Sequence, residues 1–219
     1  MLGLKAFESN RDIDSPNRNI APISSEISES GKLVVGGCQL SELAKKYSTP
    51  LYVIDELSLR TACKTYINSL KKHYPGDSLP LYASKANCSL AICALIASEG
   101  FGLDAVSEGE LITALKGGVK GEKIVFHGNN KSYDELNFAY KNNVTIVLDN
   151  YHDIELLKNI ASDNKPAKLM LRFTPGIECH THEYIRTGHL DSKFGFDPDD
   201  LKSILEELKT YKWANLTGL

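Results

Sequence analysis

Leu81-Tyr82-Ala83-Ser84-Lys85-Ala86-Asn87 sets a lysine at the carboxyl end of a short apolar run, and the reading of that run decides the fold. A run of this length closed by polar residues reads as a buried strand. Side chains alternate along a strand, so Leu81, Ala83 and Lys85 are expected on one face, where the small Ala83 leaves room beside the amine for a flat ring. A partly desolvated ammonium loses its proton more easily, which makes the amine a usable imine-forming nucleophile. Position alone favours the plainer reading, a lysine that snorkels to water from a strand end.

Outward from this segment a unit recurs: a short apolar run, a polar turn, a helical stretch. The runs are Leu51–Ile54, Leu79–Ala83, Phe101–Val106, Lys123–Phe126, Thr145–Leu148, Lys168–Phe173 and Trp213–Leu219. Helix ends are marked between them: Ser89 precedes LAICALIASE and Gly100 follows it, and Glu108 through Lys116 precede Gly117-Gly118. Near-continuous apolar strands alternating with helices predict a parallel sheet covered by helices. From Leu79 onward there are six such runs, whereas a (β/α)8 TIM-type barrel has eight strands, so the expected fold is an α/β barrel left incomplete in this chain. An open parallel sheet is the alternative. Neither a G-x-G-x-x-G after a strand nor a G-x-x-x-x-G-K-[ST] marks its usual nucleotide site.

Residues 1–31 are rich in Ser, Asn, Asp and Pro and are expected to form a disordered polar leader. Residues 32–48 hold a short strand at Lys32–Val35 and a helix from a Ser41 cap through Lys46, stopped by Thr49-Pro50. The chain has 219 residues, 42% hydrophobic and 24% charged, enough for a sizeable core. A net charge of -3 supplies no basic surface excess for nucleic acid or an anionic membrane, and no run reaches the roughly 18 apolar residues of a membrane span. A cytoplasmic or organellar-lumen protein acting on a small molecule is expected. Five scattered cysteines without a C-x-x-C pair read as reduced, structural thiols.

Other polar residues carry two readings each. Asp104 either ends a strand or serves a site, and Ser107 with Glu110 forms a capping box for the next helix. Arg172 is an ordinary salt-bridge partner or, being an arginine inside a parallel strand, a site residue. His127-Gly128-Asn129-Asn130-Lys131 reads as a polar turn at the barrel mouth. Cys179-His180-x-His182, with His189, offers zinc-type ligands in a spacing that matches no zinc pattern, so no metal is expected. Asp197–Asp200 reads as the start of a helix favoured by its dipole.

Tyr82-Ala83-x-Lys85-Ala86-Asn87 resembles the cofactor-lysine motif of the barrel-type pyridoxal-phosphate decarboxylases and their alanine racemase relatives. Further segments are similar to the diaminopimelate decarboxylase family, in order: Thr49-Pro50-Leu51-Tyr52-Val53, Asp104-Ala105-Val106-Ser107-x-Gly109-Glu110-Leu111, His127 through Lys131, Arg172-Phe173-x-Pro175-Gly176, and Thr181-His182-Glu183-Tyr184-Ile185-x-Thr187-Gly188 running on to Ser192-Lys193-Phe194-Gly195-Phe196. The resemblance covers about residues 32–219.

The resemblance implies an alanine-racemase-like, PLP-binding barrel over 49–219, with its carboxyl-terminal β-domain absent and the strand and helix of 32–48 belonging to that domain's sheet, the strand left unpaired here. It implies pyridoxal 5'-phosphate as cofactor, carried by Lys85, with Ala83 packing on the ring and Asp104 and Arg172 beside it. The implied reaction is decarboxylation of meso-2,6-diaminopimelate to L-lysine and CO2 by a full-length homodimer, the 219 residues alone being inactive. Other members of the class act on ornithine, arginine or carboxynorspermidine, and small PLP-binding barrel proteins without catalysis share the fold.

Overall fold

The computed structural model describes residues 20–174 and 194–219 and divides the chain into two compact units, residues 1–76 and 77–219. The second unit is a single parallel sheet of six strands in sequence order: β4 (Leu81–Ala83), β5 (Gly102–Ala105), β6 (Ile124–Phe126), β7 (Thr145–Leu148), β8 (Ala167–Leu171) and β9 (Ala214–Gly218). A doubly wound sheet changes direction at a switch point, and this one does not. The wall is that of a βα barrel, and the open-sheet alternative falls.

Helices α3 (Leu90–Ser98), α4 (Glu108–Lys116), α5 (Tyr133–Lys141), α6 (Tyr151–Lys158) and α7 (Leu201–Thr210) alternate with the strands. Their starts follow local chemistry. Ser107 Oγ accepts from Glu110 N at the head of α4, while the Glu110 carboxylate takes Val106 N at 2.6 Å, one residue earlier than an ordinary capping box. Ser132 and Glu135 close a full capping box on α5.

Alternation then sorts the strand side chains. Leu103, Ala105, Ile124, Phe126, Ile146, Leu148, Leu169 and Leu171 pack with Leu111, Leu136, Ile154, Leu157 and Ile204 of the helices in one core. The strand register sets Ala83 beside Asp104 and Asp104 beside Val125, on the opposite face. At its carboxyl-terminal rim a barrel builds its site.

The first unit is an antiparallel three-stranded sheet, β1 (Glu26–Ile27), β2 (Leu33–Val35) and β3 (Cys38–Gln39), with helices α1 (Leu40–Tyr47) and α2 (Glu56–His73). Asp55 caps α2: its carboxylate accepts from Ser58 N, Ser58 Oγ and Ser24 Oγ. Burial pushes that carboxyl up, but these hydrogen bonds together outweigh burial and hold it below its ordinary value.

Four expectations change here. The leader does not run unstructured to residue 31, because Glu26–Ile27 pairs with Leu33–Val34. The strand at Lys32–Val35 is not unpaired: it is the central strand of that sheet, whose two hairpin partners come from its immediate neighbours. Ser41 is not the cap of α1, which starts at Leu40 behind Gln39, and Ser41 Oγ instead accepts from the Gln39 amide at 2.7 Å. Leu51–Ile54 is no strand; Tyr52 is 96% exposed, and an apolar run becomes a strand only where a neighbour offers a ladder.

Candidate active site at the carboxyl ends of the strands

β4 ends at Ala83, and Ser84–Ala86 form a single 3-10 turn. Ser84 is buried and its hydroxyl donates to the Asp104 carbonyl at 2.7 Å, which ties this turn to β5. The turn ends the two-residue period at Ala83, so Lys85 is carried on the turn and not on the strand itself. It stands exposed at the carboxyl edge of the sheet. Tyr82, on the helix-facing side, closes the segment by donating from its hydroxyl to the Asn87 carbonyl at 3.1 Å.

Asp104, one residue from the end of β5, is in register with Ala83. Its Oδ1 is buried and has no hydrogen-bond partner in good geometry; His127 Nε2 lies 3.3 Å away without the alignment of a hydrogen bond. Burial raises the carboxyl above its ordinary range, more than the opposing pull of His127 and of the Lys85 ammonium can lower it. Burial also lowers the His127 imidazole, against the pull of Asp104 and with the push of Arg172 and Lys131. Both partners thus favour their neutral forms. His127 is placed by its own amide, which continues the ladder beyond β6 to the Ala105 carbonyl at 2.8 Å.

Arg172 follows β8 directly. Its guanidinium donates to Asp149 Oδ1 at 3.0 Å and lies over the Phe194 ring at 4.4 Å. Asp149 follows β7, is 3% exposed, and accepts from Gly195 N with its other oxygen. Gly195 has φ +77°, and a Cβ there would stand 3.0 Å from the Arg172 carbonyl, so glycine permits this close return of the chain. Lys85, Asp104, His127, Asp149 and Arg172 therefore come from five successive strand ends along one edge. Of the sequence candidates, Ala83 and Asp104 are brought side by side, Lys85 is within electrostatic reach of Asp104, and Arg172 acts two strands beyond His127.

Sequence reasoning missed Asp149 and treated His127 only as part of a turn. The signal available was position: each is the first residue after an apolar run. Thr181 through Gly188, Ser192, Lys193, and the Cys179, His180, His182 and His189 set lie outside the described residues. Among the described residues no group of three His, Cys, Asp or Glu side chains gathers to hold a metal, and no helix is long and apolar enough to cross a membrane.

A parallel βα wall with an exposed amine, a desolvated carboxyl and a braced guanidinium along its carboxyl edge defines a cofactor-binding barrel. The family of pyridoxal-dependent decarboxylases, through the model of its pyridoxal binding domain, matches residues 60–219, and the chain belongs to that family. Diaminopimelate decarboxylase of Synechocystis sp. is 49% identical over 214 residues, covering 94% of this chain and 46% of that protein. The Bacillus subtilis diaminopimelate decarboxylase is 45% identical, over 76% of this chain and 38% of its own length. Among solved structures, the diaminopimelate decarboxylase of M. jannaschii in co-complex with L-lysine superposes with TM-score 0.77 at 32% identity, over 89% of this chain and 46% of that one. The chain thus spans under half the length of the relatives it matches.

The cofactor of this family is pyridoxal phosphate, and the residues fit it on three counts. Lys85 offers an accessible amine, Ala83 keeps the adjoining inner face clear of bulk, and Asp104 presents a buried oxygen with no hydrogen-bond partner.

Proposed function

We propose that the protein carrying this chain decarboxylates meso-2,6-diaminopimelate to L-lysine and CO2, with pyridoxal phosphate bound at the carboxyl edge of the sheet. The observation that carries the reading is the exposed Lys85 amine beside the desolvated Asp104 carboxyl, in a chain 49% identical to a diaminopimelate decarboxylase. Support for the substrate comes from relatives of that name and from solved relatives complexed with L-lysine. The likeness to a viral arginine decarboxylase, at 20% identity, extends to the fold alone.

In this reading Lys85 holds the cofactor through its amine, and Ala83 packs against the ring. Pyridoxal phosphate supplies an electron sink for the charge left when CO2 departs. Burial shifts the Asp104 carboxyl toward its protonated form, and with His127 Nε2 3.3 Å away these two side chains are the proton-handling groups of this reading. Arg172, held by Asp149 and flattened on Phe194, keeps a fixed positive charge at the same edge for an anionic group of cofactor or substrate. The working form is a homodimer.

Absorbance titration with pyridoxal phosphate, followed by CO2 release from meso-diaminopimelate, tests the reading. The parent protein is expected to take up one cofactor per chain and to release CO2; Lys85→Ala is expected to lose both. Cofactor uptake by Lys85→Ala equal to the parent's rejects Lys85 as the anchor.

A further inference from the structure

Behind the site, where nothing in the proposed chemistry uses it, Lys131 forms an ion pair with Asp153, Nζ to Oδ2 at 2.7 Å, with side chains only 2% and 1% exposed. The surroundings of the pair are specific. Lys131 Nζ also donates to the Gly128 carbonyl at 2.5 Å, in the loop that begins with His127. Asp153 Oδ2 also accepts from Asp149 N at 2.9 Å, the residue whose carboxylate holds Arg172. A second link runs parallel, from Asn150 Nδ2 to the Asn129 carbonyl at 3.0 Å, and Asn150 Oδ1 accepts from Asp153 N at 3.1 Å. Asp153 Oδ1 is buried with no partner.

Stability does not explain this arrangement. Two charges taken out of water are seldom worth more than an apolar pair of the same volume, and here one buried oxygen stays unsatisfied. What the pair does supply is a rigid tie between the loop after β6 and the loop after β7. We propose that Lys131 and Asp153 are positioning residues: a buried cross-brace that sets His127 and the Asp149–Arg172 pair at the spacing the cofactor site requires. The inference rests on the functional reading above for its cofactor, but its geometry stands on these contacts alone.

The test compares the purified parent with Lys131→Met, Asp153→Leu and the double variant Lys131→Met/Asp153→Leu. Three quantities are measured: melting temperature, pyridoxal phosphate affinity by absorbance titration, and the His127 imidazole resonance in the cofactor-free protein by NMR. Each single variant strands one buried charge and is expected to melt lower. The double variant removes both charges and is expected to recover the parent's melting temperature, yet to bind the cofactor about a hundredfold more weakly and to shift or split the His127 resonance. A double variant that melts like the parent with an unmoved His127 resonance overturns the brace, whatever its cofactor affinity. Should the double variant not fold, the milder Asp153→Asn, which keeps an acceptor for Asp149 N, decides the same question by the same resonance. A parent protein that takes up no cofactor overturns the functional reading instead, and the His127 resonance still decides the brace.

Discussion

Asp104 is the residue whose environment most departs from what its type prefers, since half-buried carboxyls ordinarily have full sets of donors. Its folded form holds a proton to a pH above the ordinary 3.8, so its ionisation costs stability once the pH rises through the raised value, and costs nothing below 3.8. Asp104→Asn is therefore expected to melt higher than the parent at neutral pH, with the difference closing as the pH falls toward 3.8, while its pyridoxal phosphate affinity drops. Melting curves across that range check the sign, and a variant less stable than the parent at neutral pH rejects it. His127 works in the other direction: its value is lowered from 6.5, so its contribution is present above that pH and lost as the pH falls through the lowered value. His127→Gln should flatten the stability profile on the acid side of pH 6.5. The sequence could nominate Asp104 by its place near a strand end, but its unpartnered oxygen and its imidazole neighbour arise from a strand pair separated along the chain.

At the scale of single elements, the carboxyl and amino ends of the strands have different work. Gly121, ahead of β6, lies so near α5's end that a Cβ there would stand 1.8 Å from the Asn142 carbonyl. Gly121→Ala must push that backbone away and is expected to cost about 1–3 kcal/mol while leaving cofactor affinity unchanged, because the contact is at the edge opposite the site. Chemical denaturation read beside an absorbance titration separates the two effects. At the site end, Ser132→Ala removes half of the α5 capping box and is expected to cost about 1 kcal/mol. All six strands of the barrel wall and the starts of α3 and α4 were legible from apolar runs and caps. The 3-10 turn at Ser84–Ala86 was not, because it depends on Ser84 finding the Asp104 carbonyl on a neighbouring strand.

Across the second unit, one core serves every βα repeat, and Leu169 on β8 is fully buried in it with pairing strands on both sides. Leu169→Ala is expected to destabilise the unit by about 2–5 kcal/mol, measured as a fall in denaturation midpoint, since the flanking strands limit how far the cavity can collapse. A loss under 1 kcal/mol would mean that the core is looser than its burial implies.

Period, caps and strand-end position are local properties of the chain, and they made the α/β class, the six strands and the lysine at the end of the first of them readable from sequence. Folding was needed to separate barrel wall from open sheet, to flank the Leu33–Val35 strand with Glu26–Ile27 and Cys38–Gln39, to leave Leu51–Ile54 without a ladder and to set Asp149 on Arg172. Each of these depends on a partner brought alongside by folding, and a hydrogen bond or ion pair between distant residues leaves no periodic trace in either segment. Lys85 was named by its neighbours in sequence; the carboxyl that its charge reaches was named by the register of two strands.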